Sequence, residues 1–238
     1  MSRVEFPMTP GRRLVVGGFA GTDDLLAATA ESVPEQCDVT EIRLDLIAGD
    51  ARPGAPAPWR HLRELPLLFT ARRGEEGGHG ALDAETRMRL LEMALDDAAC
   101  IDVEAASIDE FQSLLESVRE HGLPWVASFH DFEKLPESPV LESKARLARE
   151  AGAAVFKVAA WLHSPDDLAR LADFQLGDHG IPVATMGMGP LAPVSRLLCA
   201  QCGSVLNYGY LGDRPTAPGQ RSAGFLSQAI GRLEPFPG

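Results

Sequence analysis

The stretch from Trp125 to Ala160 reads WVASFHDFEKLPESPVLESKARLAREAGAAVFKVAA. An apolar run, Trp125 to Phe129, gives way to a polar loop and then to Ser138-Pro139, a pair that opens helices. Serine offers an acceptor to a first-turn amide, and proline in that turn loses no hydrogen bond. An amphipathic stretch of helical length follows, and a second apolar run, Val155 to Ala159, closes the unit. A strand, a helix and a strand with no tight hairpin between them make a βαβ unit, and both strands are expected to be covered on their two faces as in a parallel sheet.

The same alternation extends outward in both directions. Further strand candidates are Leu14 to Gly17, Thr40 to Leu46, Leu67 to Ala71, Cys100 to Glu104, Pro182 to Met186 and Val205 to Tyr208, so about eight strand–helix pairs fill the chain. Helix starts are legible at Asp83 before Met88, Leu91 and Leu95, at Ser164-Pro165, and at Ser107 with Glu110 as a capping box ahead of Phe111, Leu114, Leu115 and Val118. Gly122 then supplies a left-handed stop. Eight such pairs close into an α/β fold of one kind, a single (β/α)8 TIM barrel. A doubly wound dinucleotide fold is disfavoured, because Gly17-Gly18-Phe19-Ala20-Gly21 lacks the G-x-G-x-x-G spacing. The expected organisation is one domain over 1–238, with residues 1–12 an N-terminal extension or short hairpin and Ala51 to Pro58 a Pro-rich loop.

Composition narrows function. A formal charge of -12 and a pI near 4.9 repel phosphate backbones and anionic membranes, so neither nucleic acid nor a membrane is an expected partner. The opening residues lack the apolar run of a signal peptide, and the expected location is the cytoplasm. Four cysteines, Cys37, Cys100, Cys199 and Cys202, are too few for a disulfide framework. Cys199 and Cys202 have C-x-x-C spacing without a second pair to complete a zinc site, and read as buried thiols at a helix end. The Gly-rich segments 74–80 and 187–189 do not continue as phosphate-binding loops and read as loops at the barrel mouth.

Only three lysines occur among 22 basic residues. Lys134 and Lys144 lie in polar surroundings. Lys157 stands in the apolar run Val155-Phe156-Lys157-Val158-Ala159, where burial disfavours the ammonium and leaves more of the neutral, nucleophilic amine. Two readings stand at this point: a structural lysine paired with a carboxylate such as Asp102 or Glu104, or a covalent catalyst. His130 follows the adjacent strand at the end where barrels carry their chemistry, and imidazole exchanges protons near neutral pH. The other histidines, His61, His79, His121, His163 and His179, have polar neighbours and read as surface residues.

With these residues in place, the chain resembles type I 3-dehydroquinate dehydratase over most of its length. Glu41-Ile42-Arg43-Leu44-Asp45 is similar to the family's E-x-R-x-D strand, and Phe69 to Gly78 to its F-T-x-R-x-x-x-E-G-G segment. Ser128-Phe129-His130-Asp131-Phe132 resembles S-x-H-x-F, and Phe156-Lys157-Val158-Ala159 the strand bearing the Schiff-base lysine. Ser195-Arg196 and Ala217-Pro218-Gly219-Gln220 complete the ordered set. The resemblance implies a shikimate-pathway lyase acting on 3-dehydroquinate, with Lys157 as nucleophile, His130 as proton-transfer group and Glu76 positioning it. It implies Arg196 and Gln220 at the substrate carboxylate, Thr216 as a further substrate-binding hydroxyl, and Glu41, Arg43 and Arg72 at the ring hydroxyls. No metal and no cofactor are implied, and a homodimer is the family expectation.

Against this, Glu41, Arg43 and Asp45 also fit a purely structural ion-pair layer. The family pattern is departed from at Thr216, where serine is usual, and at Asn207 and Leu135, where threonine is usual. Two competing functions share the lysine: a class I aldolase-like barrel, and a ligand-sensing barrel descended from an enzyme. The second predicts loss of Lys157, His130 or Glu76, and all three are present.

Overall fold

A computed structural model describes residues 4–50 and 56–234; residues 51–55 of the Pro-rich loop lie outside them. Eight parallel strands form one sheet: β1 (Leu14–Phe19), β2 (Val39–Arg43), β3 (Leu67–Thr70), β4 (Cys100–Glu104), β5 (Trp125–Asp131), β6 (Val155–Trp161), β7 (Val183–Met188) and β8 (Leu206–Leu211). Each is followed by a helix: α1 (Thr22–Ala27), α2 (Leu44–Ile47), α3 (Ala84–Ala94), α4 (Gln112–Glu120), α5 (Ser138–Glu150), α6 (Pro165–Leu176), α7 (Ala192–Gln201) and α8 (Ala223–Ile230). The strand order is β7-β6-β5-β4-β3-β2-β1-β8. At the seam between the two end strands, the Val205 N–H donates to the Val183 carbonyl at 3.2 Å, so the sheet nearly closes into the expected (β/α)8 barrel.

Because successive side chains of a strand point to opposite faces, each strand supplies two cores. Leu14, Val16, Leu68, Val126, Val155 and Leu206 form an inner cluster, joined by Phe6 and Met8 from the N-terminal segment. Within described residues 4–13 no strand forms. Ile42, Phe69, Val103 and Phe156 point the other way, against Leu91, Leu114 and Leu171 of the helices. Most of the remaining inward positions, toward the carboxyl ends of the strands, carry polar side chains, among them Glu41, Arg43, Thr70, Asp102, Glu104, Ser128 and Lys157.

The local signals hold unevenly. Asp83 caps α3 by accepting from the Thr86 N–H at 2.8 Å, and Ser164 forms a capping box with Asp167 at the start of α6. Gly122 takes φ +64 after α4, as a left-handed stop requires. Ser107 does not cap a helix: α4 starts only at Gln112, and the buried Ser107 hydroxyl faces the Arg87 guanidinium at 3.4 Å. The buried guanidinium, already bonded to the Ala71 carbonyl and Glu104, has more N–H groups than these two acceptors satisfy, and an unmet buried donor is costlier than an uncapped amide near water. Ser138 is itself the first residue of α5, with Glu137 in the cap position.

Strand ends also shift. β5 continues through His130 and Asp131, and β6 through Trp161, because ladder pairs His130↔Ala159 and Asp131↔Ala160 form although the side chains turn polar. β2 stops at Arg43 and α2 begins at once, which lets the Asp45 carboxylate fold back onto the Arg43 side chain.

Candidate active site

Lys157 is an inward residue of β6, 3% exposed, opposite Ser128 of β5 in the ladder. Its Nζ lies 3.1 Å from Asp102 Oδ2, and the other oxygen of that carboxylate accepts from the Ser128 hydroxyl at 2.6 Å. The ring of Tyr208, from β8, has its centroid 4.0 Å from Nζ. Burial pushes the Lys157 ammonium below its usual range, and the Arg72 charge adds to this against the pull of Asp102. The lysine is therefore paired with Asp102, as the structural reading expects, and is at the same time biased toward the neutral amine.

His130 stands one ladder step from Lys157, inward on β5, with Nδ1 at 3.0 Å from Glu76 Oε2. The same oxygen accepts the His130 backbone N–H at 2.9 Å. A carboxylate oxygen at Nδ1 selects the tautomer protonated there and leaves the Nε2 lone pair free. Burial, reinforced by the charges of Arg72, Lys157 and Arg43, holds His130 well below the usual imidazole range, so the ring is neutral. Burial also raises Glu76 to about 7, with Glu104 adding to this and Arg72 opposing.

Glu76 lies in a 3-10 turn after β3 that is pinned from two sides. Asp45 accepts the Arg72 backbone N–H at 3.2 Å and the His79 N–H at 3.0 Å while chelating Arg43 through Nε and Nη2 at 2.8 and 2.7 Å. Gly77, at φ +83, lies under the Phe132 ring, where any Cβ would collide with it. Only glycine meets both demands.

Arg72 binds Glu104, Asp102 and Ser128 through Nη1 at 2.9, 3.0 and 2.6 Å, and Glu104 is also bonded by Arg87. Lys157, Asp102, Arg72, Glu104 and Arg87 thus alternate in charge down one side of the barrel. Glu41 accepts from the Thr70 hydroxyl at 2.8 Å. Arg196, on α7, is different in kind. It is 2% exposed, its Nη1 donates to the Tyr208 carbonyl at 2.6 Å, and its Nε has no hydrogen-bond partner. Burial lowers it to about 10, and among the described residues no carboxylate ion-pairs with it. An unneutralised buried guanidinium is a ready anion site. Gln220 Oε1 accepts both the Thr216 N–H and hydroxyl, at 2.9 and 2.8 Å, which leaves Nε2 as the donor of that amide.

Glu41, Arg43, Arg72, Glu76, His130, Lys157, Arg196, Thr216 and Gln220 all line one cavity at the mouth of the barrel. The sequence profile of the type I 3-dehydroquinase family matches residues 19–234 of this chain. The chain belongs to that family. Relatives named 3-dehydroquinate dehydratase include that of Methanothrix thermoacetophila, 32% identical over 216 residues covering 91% of this chain and 90% of the relative. Another, from Methanocella arvoryzae, is 33% identical over 87% of this chain and 90% of its own. The crystal structure of 3-dehydroquinate dehydratase from Geobacillus kaustophilus superposes with a TM-score of 0.83 at 28% identity, covering 93% of this chain and 91% of that one.

The departures from the family pattern fall away from the cavity or keep its chemistry. Asn207 bonds the Leu14 and Ser204 carbonyls, stitching β8 to β1, and Leu135 is buried in the outer core. Thr216 supplies the hydroxyl to Gln220. Sequence reasoning passed over Ser128, Tyr208 and Arg87. The first two had a signal: each lies an even number of residues from another inward position of its strand. Arg87 sits on a helix and had none.

Proposed function

We propose that this chain eliminates water from 3-dehydroquinate to give 3-dehydroshikimate through an imine on Lys157, with His130 moving the proton and Glu76 positioning His130. The observation that carries the reading is a buried lysine biased toward the neutral amine in one cavity with a neutral, carboxylate-oriented histidine.

The Lys157 amine adds to the C3 ketone and water leaves, forming an imine whose protonated nitrogen accepts the electron pair released at C2. His130 Nε2 takes the C2 proton, giving an enamine. As the electron pair returns, the C1 hydroxyl departs and takes the proton from the imidazolium, so it leaves as water. Addition of water to the remaining imine frees Lys157 and the product ketone. The net change is loss of one water. Glu76 holds the Nδ1 tautomer and stabilises the imidazolium in between. Asp102 keeps a hydrogen bond to the Lys157 nitrogen. Arg196 and Gln220 Nε2 take the substrate carboxylate, and Glu41, Arg43 and Arg72 take ring hydroxyls with the donors and acceptors left over from their ion pairs.

The shikimate pathway and a cytoplasmic location belong to the same proposal; one domain over 1–238 is proposed from the count of strand–helix pairs, and a homodimer from the family resemblance. The family match weighs against the aldolase-like reading, and the intact Lys157, His130 and Glu76 constellation against a sensing barrel.

Borohydride reduction of the protein with 3-dehydroquinate, followed by peptide mass mapping, tests the proposal. A reduced adduct on Lys157, absent from Lys157→Ala, is the expected result; the variant loses turnover entirely, while His130→Ala still traps an adduct and turns over at least about 100-fold more slowly. No adduct in the wild-type chain rejects the mechanism.

A further inference from the structure

We propose that Tyr208 is a further substrate-contacting residue: its ring face shares the positive charge of the covalent intermediate on Lys157, and its hydroxyl donates to an oxygen of the bound substrate. The inference rests on the imine chemistry proposed for Lys157.

The ring centroid lies 4.0 Å from Lys157 Nζ, within cation–π distance. The ammonium of a free lysine has three N–H donors, whereas a protonated imine has one, and that one has a partner in Asp102, 3.1 Å from Nζ. A π face needs no N–H, so it goes on stabilising the cation after the other donors are lost. It gives the neutral amine and the neutral enamine much less. The ring thus favours the charged imine, which is the electron sink for proton removal.

The hydroxyl is a separate observation. Tyr208 is one of only two tyrosines in the chain. It is buried, lines the cavity, and its oxygen has no hydrogen-bond partner. A phenylalanine would fill the same space without leaving a buried donor unpaired, a penalty that native interiors nearly always avoid. Burial, with the Asp102 and Glu41 charges, raises the phenol well above its usual range, so it remains a proton-bearing donor at any working pH. The substrate of the proposed reaction carries hydroxyls, a ketone and a carboxylate, all of them acceptors. A substrate oxygen brought in when the ring carbon bonds to Nζ completes the donor.

Two variants separate the parts, each checked for folding by its melting temperature. Tyr208→Phe keeps the ring and is expected to raise KM about fivefold with kcat within twofold of wild type. Tyr208→Leu removes both and is expected to lower kcat at least tenfold and to trap less borohydride adduct at saturating substrate. Wild-type KM in the Phe variant overturns the hydroxyl contact. Wild-type kcat and adduct yield in the Leu variant overturn the role of the ring. If the Leu variant does not fold, Tyr208→Met replaces it with the same expectations. Absence of adduct in the wild-type chain is a different failure, that of the Lys157 chemistry itself.

Discussion

In the proposed mechanism, Glu76 joins catalysis to stability through one ionisation. Its carboxyl is raised from 4.5 to about 7, mainly by burial. The folded chain therefore holds a proton that the unfolded chain releases between pH 4.5 and 7, so this group makes stability fall as pH rises across that window. The full penalty is present above pH 7 and is roughly 3 kcal/mol. Glu76→Gln removes it. The variant is expected to melt several degrees above wild type at pH 8, with the two curves converging below pH 4.5, as thermal unfolding across the pH range will show. Activity has the opposite requirement, since only the ionised carboxylate holds His130 in the Nδ1–H tautomer. In wild type kcat should fall as pH drops through about 7; in Glu76→Gln kcat is lower and that limb moves toward more acid pH. An unmoved limb assigns the titration to another group.

At the scale of elements, the turn after β3 is held in place by one carboxylate. Asp45 binds Arg43, the Arg72 amide and the His79 amide at once, and so ties the end of β2 to the loop that carries Glu76. Asp45→Asn keeps the volume but halves the acceptor capacity and leaves Arg43 without its counter-ion. The expected outcome is about a tenfold loss of kcat, with faster hydrogen exchange at the His79 amide and a smaller change in KM. Unchanged exchange at His79 means that Phe132 over Gly77 suffices to hold the turn. This anchoring was only half legible. The E-x-R-x-D spacing put Asp45 beside Arg43, but extending the strand to Leu46 gave the side chain no reason to turn back. The chain leaves the ladder at Arg43 because four hydrogen bonds to one buried carboxylate outweigh a further strand pair.

Across the whole molecule, the cysteines report on the fold. Burial raises Cys37 and Cys199 to about 12 and pushes Cys100 up as well; it also raises Cys202, but this thiol alone of the four is partly exposed, at the end of α7. A thiolate is the reactive form, so the native protein is expected to give one thiol to Ellman's reagent, at Cys202, and all four in denaturant. Fast reaction of a second cysteine in native buffer shows local opening of the barrel. Among the described residues Cys199 and Cys202 are both free thiols, and no cluster of three or more potential metal ligands includes them.

Strand and helix identity, the nearly closed parallel barrel and the isolation of Lys157 were properties of the sequence by itself. Hydrophobic period and the desolvation of a cation in an apolar run depend on neighbours a few residues away. Helix starts were read correctly where the acceptor lay near water, at Asp83 and Ser164, and misread at Ser107, where a guanidinium twenty residues earlier claimed the hydroxyl. The tertiary structure alone decided that Arg196 has no counter-ion among the described residues, that the Tyr208 ring lies against Lys157 while its hydroxyl has no partner, and that Asp102 links Arg72 to the lysine. Each depends on which side chains from distant strands meet inside the barrel, and whether a buried polar group has a partner is settled only there.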